Sequence, residues 1–78
     1  MPYEVYALIK VASGTHKNVI KKLKAINEVK EIYQVSGIYD IIATIQSTGP
    51  KELNEIIEKK VRSIEEINSI ISCVVINC

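Results

Sequence analysis

Residues 29–47 read VKEIYQVSGIYDIIATIQS, and the two halves of this stretch decide the fold. Val29 to Ser36 is rich in β-branched and aromatic side chains, and so is Asp40 to Ser47; both have strand length. Only Ser36-Gly37-Ile38-Tyr39 separates them, with one glycine free to take positive φ. Two strands this close in sequence are expected to pair as an antiparallel hairpin.

The segments on either side complete the pattern. Tyr3 to Ala12 alternates as a strand, with Tyr3, Val5, Ala7, Ile9 and Val11 on one face and Glu4, Tyr6, Leu8 and Lys10 on the other. Ser13-Gly14-Thr15 breaks it and offers helix N-caps. From His16 to about Asn27 the period becomes helical, with Val19, Leu23 and Ile26 on one stripe, Ile20 widening it and lysines opposite. After the hairpin, Gly49-Pro50 marks a second helix start, and Leu53, Ile56, Ile57, Val61 and Ile64 form its apolar stripe. Ile67 to Ile76 is a β-branched run, the fourth strand. The order β-α-β-β-α-β predicts an α+β, ferredoxin-like domain over residues 1–78, a four-stranded antiparallel sheet with both helices on one face.

A chain of 78 residues buries a modest share of its surface, so disulfides, a metal or self-association should assist it. Cys73 and Cys78 are an odd spacing apart on a strand, which points their side chains to opposite faces. No disulfide is expected, and Cys73 reads as a small packing residue in a reducing, cytoplasmic setting. His16 is the one histidine and reads as a solvated residue at a helix start; no metal site and no cofactor are expected. Net charge is +1 with signs interspersed, and the four lysines between Lys17 and Lys24 suit a solvated helix face better than a phosphate-binding stripe. No apolar run reaches membrane-span length.

Self-association remains, and the strands support it. With both helices on one side, the other sheet face should be polar in a monomer. If Val5, Ile9, Ile41, Ile45, Ile71 and Val75 face the helices, Tyr6, Leu8, Ile32, Ile42, Ile70 and Val74 are left on the open face. That is a larger apolar patch than monomers usually expose, and a symmetric sheet-to-sheet dimer, a dimeric α+β barrel, would cover it. Stacking bases or holding a flat ligand is the other use of such a face.

Catalytic constellations are missing from the sequence. The serines and threonines have only His16 as a prospective base, and there is no glycine-rich phosphate cradle. The strands carry isoleucine where an RNA-binding sheet needs aromatic residues, and Arg62, the one arginine, falls on the second helix. By elimination, Val35-Ser36-Gly37-Ile38-Tyr39-Asp40 stands out, with a glycine, a phenol and a carboxylate within four residues at a sheet rim. It can be a plain turn, with Asp40 capping a backbone N–H and Tyr39 packing on a neighbour, or a binding site.

The same segment resembles the V-x-G-x-[Tyr/Phe]-D signature of the effector domain of the Lrp/AsnC transcriptional regulators, also called the RAM domain (regulation of amino acid metabolism). The likeness extends to Val11 and Gly14 before the first helix, Glu28-Val29 opening the second strand, and the ending Ser72-Cys73-Val74-Val75-Ile76. The resemblance implies homodimers paired through their sheets, further assembly into rings, commonly octamers, and an amino-acid effector in the cleft between dimers. Carried onto this sequence, the backbone at Gly37 and Ile38 would meet the ligand's charged ends. Asp40 would accept a bond from its ammonium, Tyr39 would line the pocket and Ser72 would offer a hydroxyl.

Two departures shape the expectation. Only two residues precede Tyr3, where the family carries a DNA-gripping helix-turn-helix. A stand-alone RAM domain is therefore expected, with no direct nucleic-acid contact, tuning full-length regulators of the family. Ile70 stands where family members often have threonine, which favours an aliphatic or aromatic amino acid as effector. The rival readings are a cofactor-free enzyme of the dimeric α+β barrel kind, disfavoured because His16 and Arg62 fall outside the sheet, and a purely structural assembly domain.

Overall fold

Strand β1 (Tyr3–Val11) lies in the interior of the sheet because its alternate positions are uniformly apolar: Val5, Ala7 and Ile9 are completely buried, and Val11 nearly so. The computed structural model describes residues 3–74. Beyond β1, Gly14 takes a positive φ of 79° in a tight turn, and Thr15 directs both its N–H and its hydroxyl to the Ala12 carbonyl. The hydroxyl is thereby used to tie the turn, so helix α1 (His16–Lys24) starts without a side-chain cap.

Helix α1 buries Val19 and Leu23 against the sheet and is shorter than its apolar period suggested. Its last turn tightens, with the Ala25 N–H on the Lys22 carbonyl and the Ile26 N–H on Leu23, before Ile26 packs against the core. Strands β2 (Val29–Gln34) and β3 (Ile41–Ser47) form the expected hairpin. Helix α2 (Pro50–Ile56) starts at its proline and runs into a π-helical turn over Ile57–Val61, closed by the Arg62 N–H on the Ile57 carbonyl at 2.8 Å. The wider turn lets Ile56, Ile57, Val61 and Ile64 all enter the core. Strand β4 (Ile67–Val74) completes a sheet of order β2-β3-β1-β4, antiparallel throughout, the ferredoxin-like arrangement. Among the described residues no helix is long and apolar enough to cross a membrane.

Two bulges change which residues face the helices. In β2, Val29 pairs with Ile45 but Glu31 with Thr44, so Lys30 is an extra residue. Thereafter Ile32 aligns with the buried Ala43, and Tyr33 with Ile42 on the open face. In β4, Ile67 pairs with Val11 but Ser69 with Lys10, so Asn68 is extra; Ile70 then aligns with Ile9, and Ile71 with Leu8. Each bulge flips every later side chain to the other face. The strict alternation read from the sequence is therefore corrected: Ile32 and Ile70 pack against the core, and Ile71, expected inward, lies on the open face. Val74 aligns with Val5, and its side chain, like Val75 and Cys78, is outside the described residues. Tyr6, Leu8 and Ile42 lie on the open face as expected. Cys73, aligned with Tyr6, is exposed there instead of filling the core.

Candidate functional site

The hairpin link is held from behind. The Val35 N–H donates to the Asp40 carbonyl and the Asp40 N–H to the Ile9 carbonyl, both at 2.9 Å, so the link is closed on itself and docked on β1. Gly37 adopts φ 138°, a conformation that favours glycine; a Cβ there would meet no atom within 4 Å, so the requirement is one of backbone dihedral and not of space. Beside it Ile38 is 78% exposed, an aliphatic side chain in water next to an accessible backbone, while Tyr39 is half-buried.

The Asp40 carboxylate joins three segments. Its Oδ2 accepts the Val11 N–H at 2.9 Å, at the point where the β1–β4 register shifts, and its Oδ1 lies 3.3 Å from Nε2 of His16, the first residue of α1. The Val11 N–H foremost, then His16 and Lys10, hold the Asp40 carboxyl below its ordinary value of 3.8 against a partial loss of hydration. The capping role foreseen for a plain turn is thus present, directed at β1. His16 is corrected from a free surface residue to a partner of the hairpin's carboxylate. Nothing in the sequence announced this pairing. The available signal was that α1 begins directly after β1, on whose neighbouring strand the hairpin ends.

Ser72 aligns with Ala7 on β4 and is exposed. The hairpin docks on the Ile9 end of β1 from the β3 side, so within one chain Ser72 and residues 37–40 occupy opposite flanks of β1. Gly37, Ile38, Tyr39 and Asp40 are brought together; Ser72 is held apart from them.

A polar hollow lies at the other end of the sheet, lined by Asn27, Glu28, Lys30, Gln46, Ser47, Thr48 and Glu52. Its carboxylates already have partners. Lys60 bridges Glu28 at 3.0 Å and holds its carboxyl low, and the Thr48 hydroxyl donates to Glu52 at 2.8 Å. The open sheet face differs: Tyr6, Tyr33 and Ile71 are 42%, 50% and 47% exposed around Leu8 and Ile42. The Tyr33 hydroxyl donates to Glu31, which holds the phenol in its neutral form and raises its pKa.

A family model described as the Lrp/AsnC ligand binding domain matches residues 4–77. The chain belongs to the Lrp/AsnC ligand-binding domain family. Among solved structures, this RAM domain is similar to a hypothetical protein from Pyrococcus horikoshii, with 34% identity, a TM-score of 0.88, and coverage of 99% of this chain and 92% of that one. It shares its fold with Escherichia coli AsnC at 23% identity and a TM-score of 0.92, over 97% of this chain and 52% of that one. The same fold occurs in a Neisseria meningitidis transcriptional regulator solved as a complex with L-Met, at 10% identity and a TM-score of 0.88, over 96% of this chain and 50% of that one. Homocitrate synthase of Saccharolobus islandicus is 35% identical over 78 residues, which is 96% of this chain but only 17% of that protein.

Proposed function

We propose that this RAM domain senses an amino acid at the Val35–Asp40 hairpin and works as a sheet-to-sheet dimer in the cytoplasm. The observation that carries the reading is the hairpin's construction: Asp40 anchors it on β1, while Gly37 and Ile38 present backbone and an exposed aliphatic side chain outward. A zwitterion needs paired donors and acceptors for its charged ends and an apolar wall for its side chain, and this arrangement offers both. The L-Met bound by the Neisseria regulator of the same fold supports an apolar amino acid as effector.

The dimer reading rests on the exposed face of Tyr6, Leu8, Tyr33, Ile42 and Ile71, which takes the place of the set inferred from strict alternation. Because Ser72 is apart from the hairpin within one chain, a pocket containing both would draw Ser72 from a neighbouring chain. A ring of dimers such as an octamer would provide it, and ligand at the seam would shift the assembly equilibrium. Full-length Lrp/AsnC-type regulators are the partners this reading implies. The homocitrate synthase relative carries a similar segment over 17% of its own length, which favours a second reading in which such a module serves an enzyme.

Isothermal titration with L-methionine and L-isoleucine tests the reading. Saturable binding that is weakened at least tenfold by Ser72→Ala or Gly37→Val supports it. Binding unaffected by either substitution removes the site from the hairpin.

A further inference from the structure

Asp40 is already occupied, and that bears on any cation approaching the hairpin. Its Oδ2 is committed to the Val11 N–H, a backbone bond that keeps the hairpin on β1. Its Oδ1 is the one free to serve a ligand, and His16 Nε2 stands 3.3 Å from it. Both side chains are about one-third exposed, so a small solute has access to the pair. The charged groups facing the carboxylate are His16 from α1 and Lys10 from β1; Glu66, near the same junction, is held by Lys22 at 3.0 Å.

We propose that His16 gates the hairpin: it competes with a ligand's ammonium for Asp40 Oδ1, so that protonating His16 closes the site. The inference rests on the effector-site reading above and adds to it a positioning residue and a proton dependence. Histidine as a residue type changes charge between about pH 5 and 8. In the neutral form it stands beside the carboxylate without net charge, and an ammonium can take its place. In the charged form it makes an ion pair and repels the incoming cation. Asp40 itself keeps its charge over this range, because the Val11 N–H holds its carboxyl below its ordinary value, and a ligand's α-ammonium and α-carboxylate keep theirs. The gate assigns the pH dependence of binding between 5.5 and 8 to His16, and the flat profile expected of His16→Ala tests that assignment.

The test has two arms. First, each of the twenty L-amino acids is titrated onto wild type and His16→Ala at pH 8 and pH 5.5. The gate predicts a Kd in wild type that is roughly fivefold or more weaker at pH 5.5, and a flat profile in His16→Ala. Second, without ligand, the backbone amide resonances of Val11 and residues 37–40 should move between these pH values in wild type and stay still in His16→Ala. If amino acids bind with the same pH ratio in both proteins, or the amides move equally in both, the gate is overturned and the effector reading stands. If no amino acid binds either protein at pH 8, the effector reading falls and the gate falls with it.

Discussion

Asp40, Glu28 and Glu66 all have carboxyls held below their ordinary values of 3.8 and 4.5, by the Val11 N–H, Lys60 and Lys22 respectively. A lowered folded-state pKa means the folded state favours the ionised form, so this stabilisation is present above the ordinary values and is lost as pH falls through the lowered ones. Melting temperature followed by circular dichroism should fall as the pH drops below about 4.5. The Glu28→Gln, Glu66→Gln double variant should melt slightly lower at pH 7, because exposed ion pairs contribute little, and show a shallower acid decline. At this scale the sequence was only partly legible. It singled out Asp40 and Gly37, yet His16 read as solvated because its partner lies far along the chain and is brought near only by the packing of α1 against the hairpin's end of the sheet.

The bulge in β2 relies on Thr44. This residue is 1% exposed on the sheet's non-helical face, and its hydroxyl accepts the Glu31 N–H at 2.9 Å, a donor that the bulge would otherwise leave without a strand partner. Thr44→Val keeps the shape and removes the acceptor, and should cost about 0.5–1.5 kcal/mol in urea unfolding, the net worth of a typical hydrogen bond, because the Glu31 amide is only partly buried. A loss under about 0.3 kcal/mol would mean the amide finds water instead. The six elements and their order were readable because apolar periodicity changes cleanly between 2 and 3.6. The strand faces were not. A bulge adds one residue without marking the sequence, so Lys30 and Asn68 moved Ile32 and Ile70 inward and Tyr33 and Ile71 outward.

In the whole molecule, both helices cover one face of the sheet and a band of apolar side chains remains on the other. Ile71 is 47% exposed on edge strand β4, so Ile71→Glu should leave a single chain folded while placing a charge in a sheet-to-sheet interface. Sedimentation should find wild type at a multiple of the 8.7 kDa chain mass and the variant at that mass with unchanged far-UV dichroism. Wild type sedimenting as a monomer at every concentration would remove the dimer from the account. The exposed face was legible in outline because either choice of strand parity left large apolar groups without a helix over them.

The central claim is that the hairpin carrying Asp40 receives an amino acid, and a thermal-shift panel of the twenty amino acids on wild type and Asp40→Ala tests it most directly. A ligand at a hundred times its Kd adds about 2.7 kcal/mol, which moves the melting point of a domain this small by several degrees. The account predicts such a shift for apolar amino acids with wild type and none with Asp40→Ala. A shift of equal size in both proteins, or no shift with any amino acid, would contradict it.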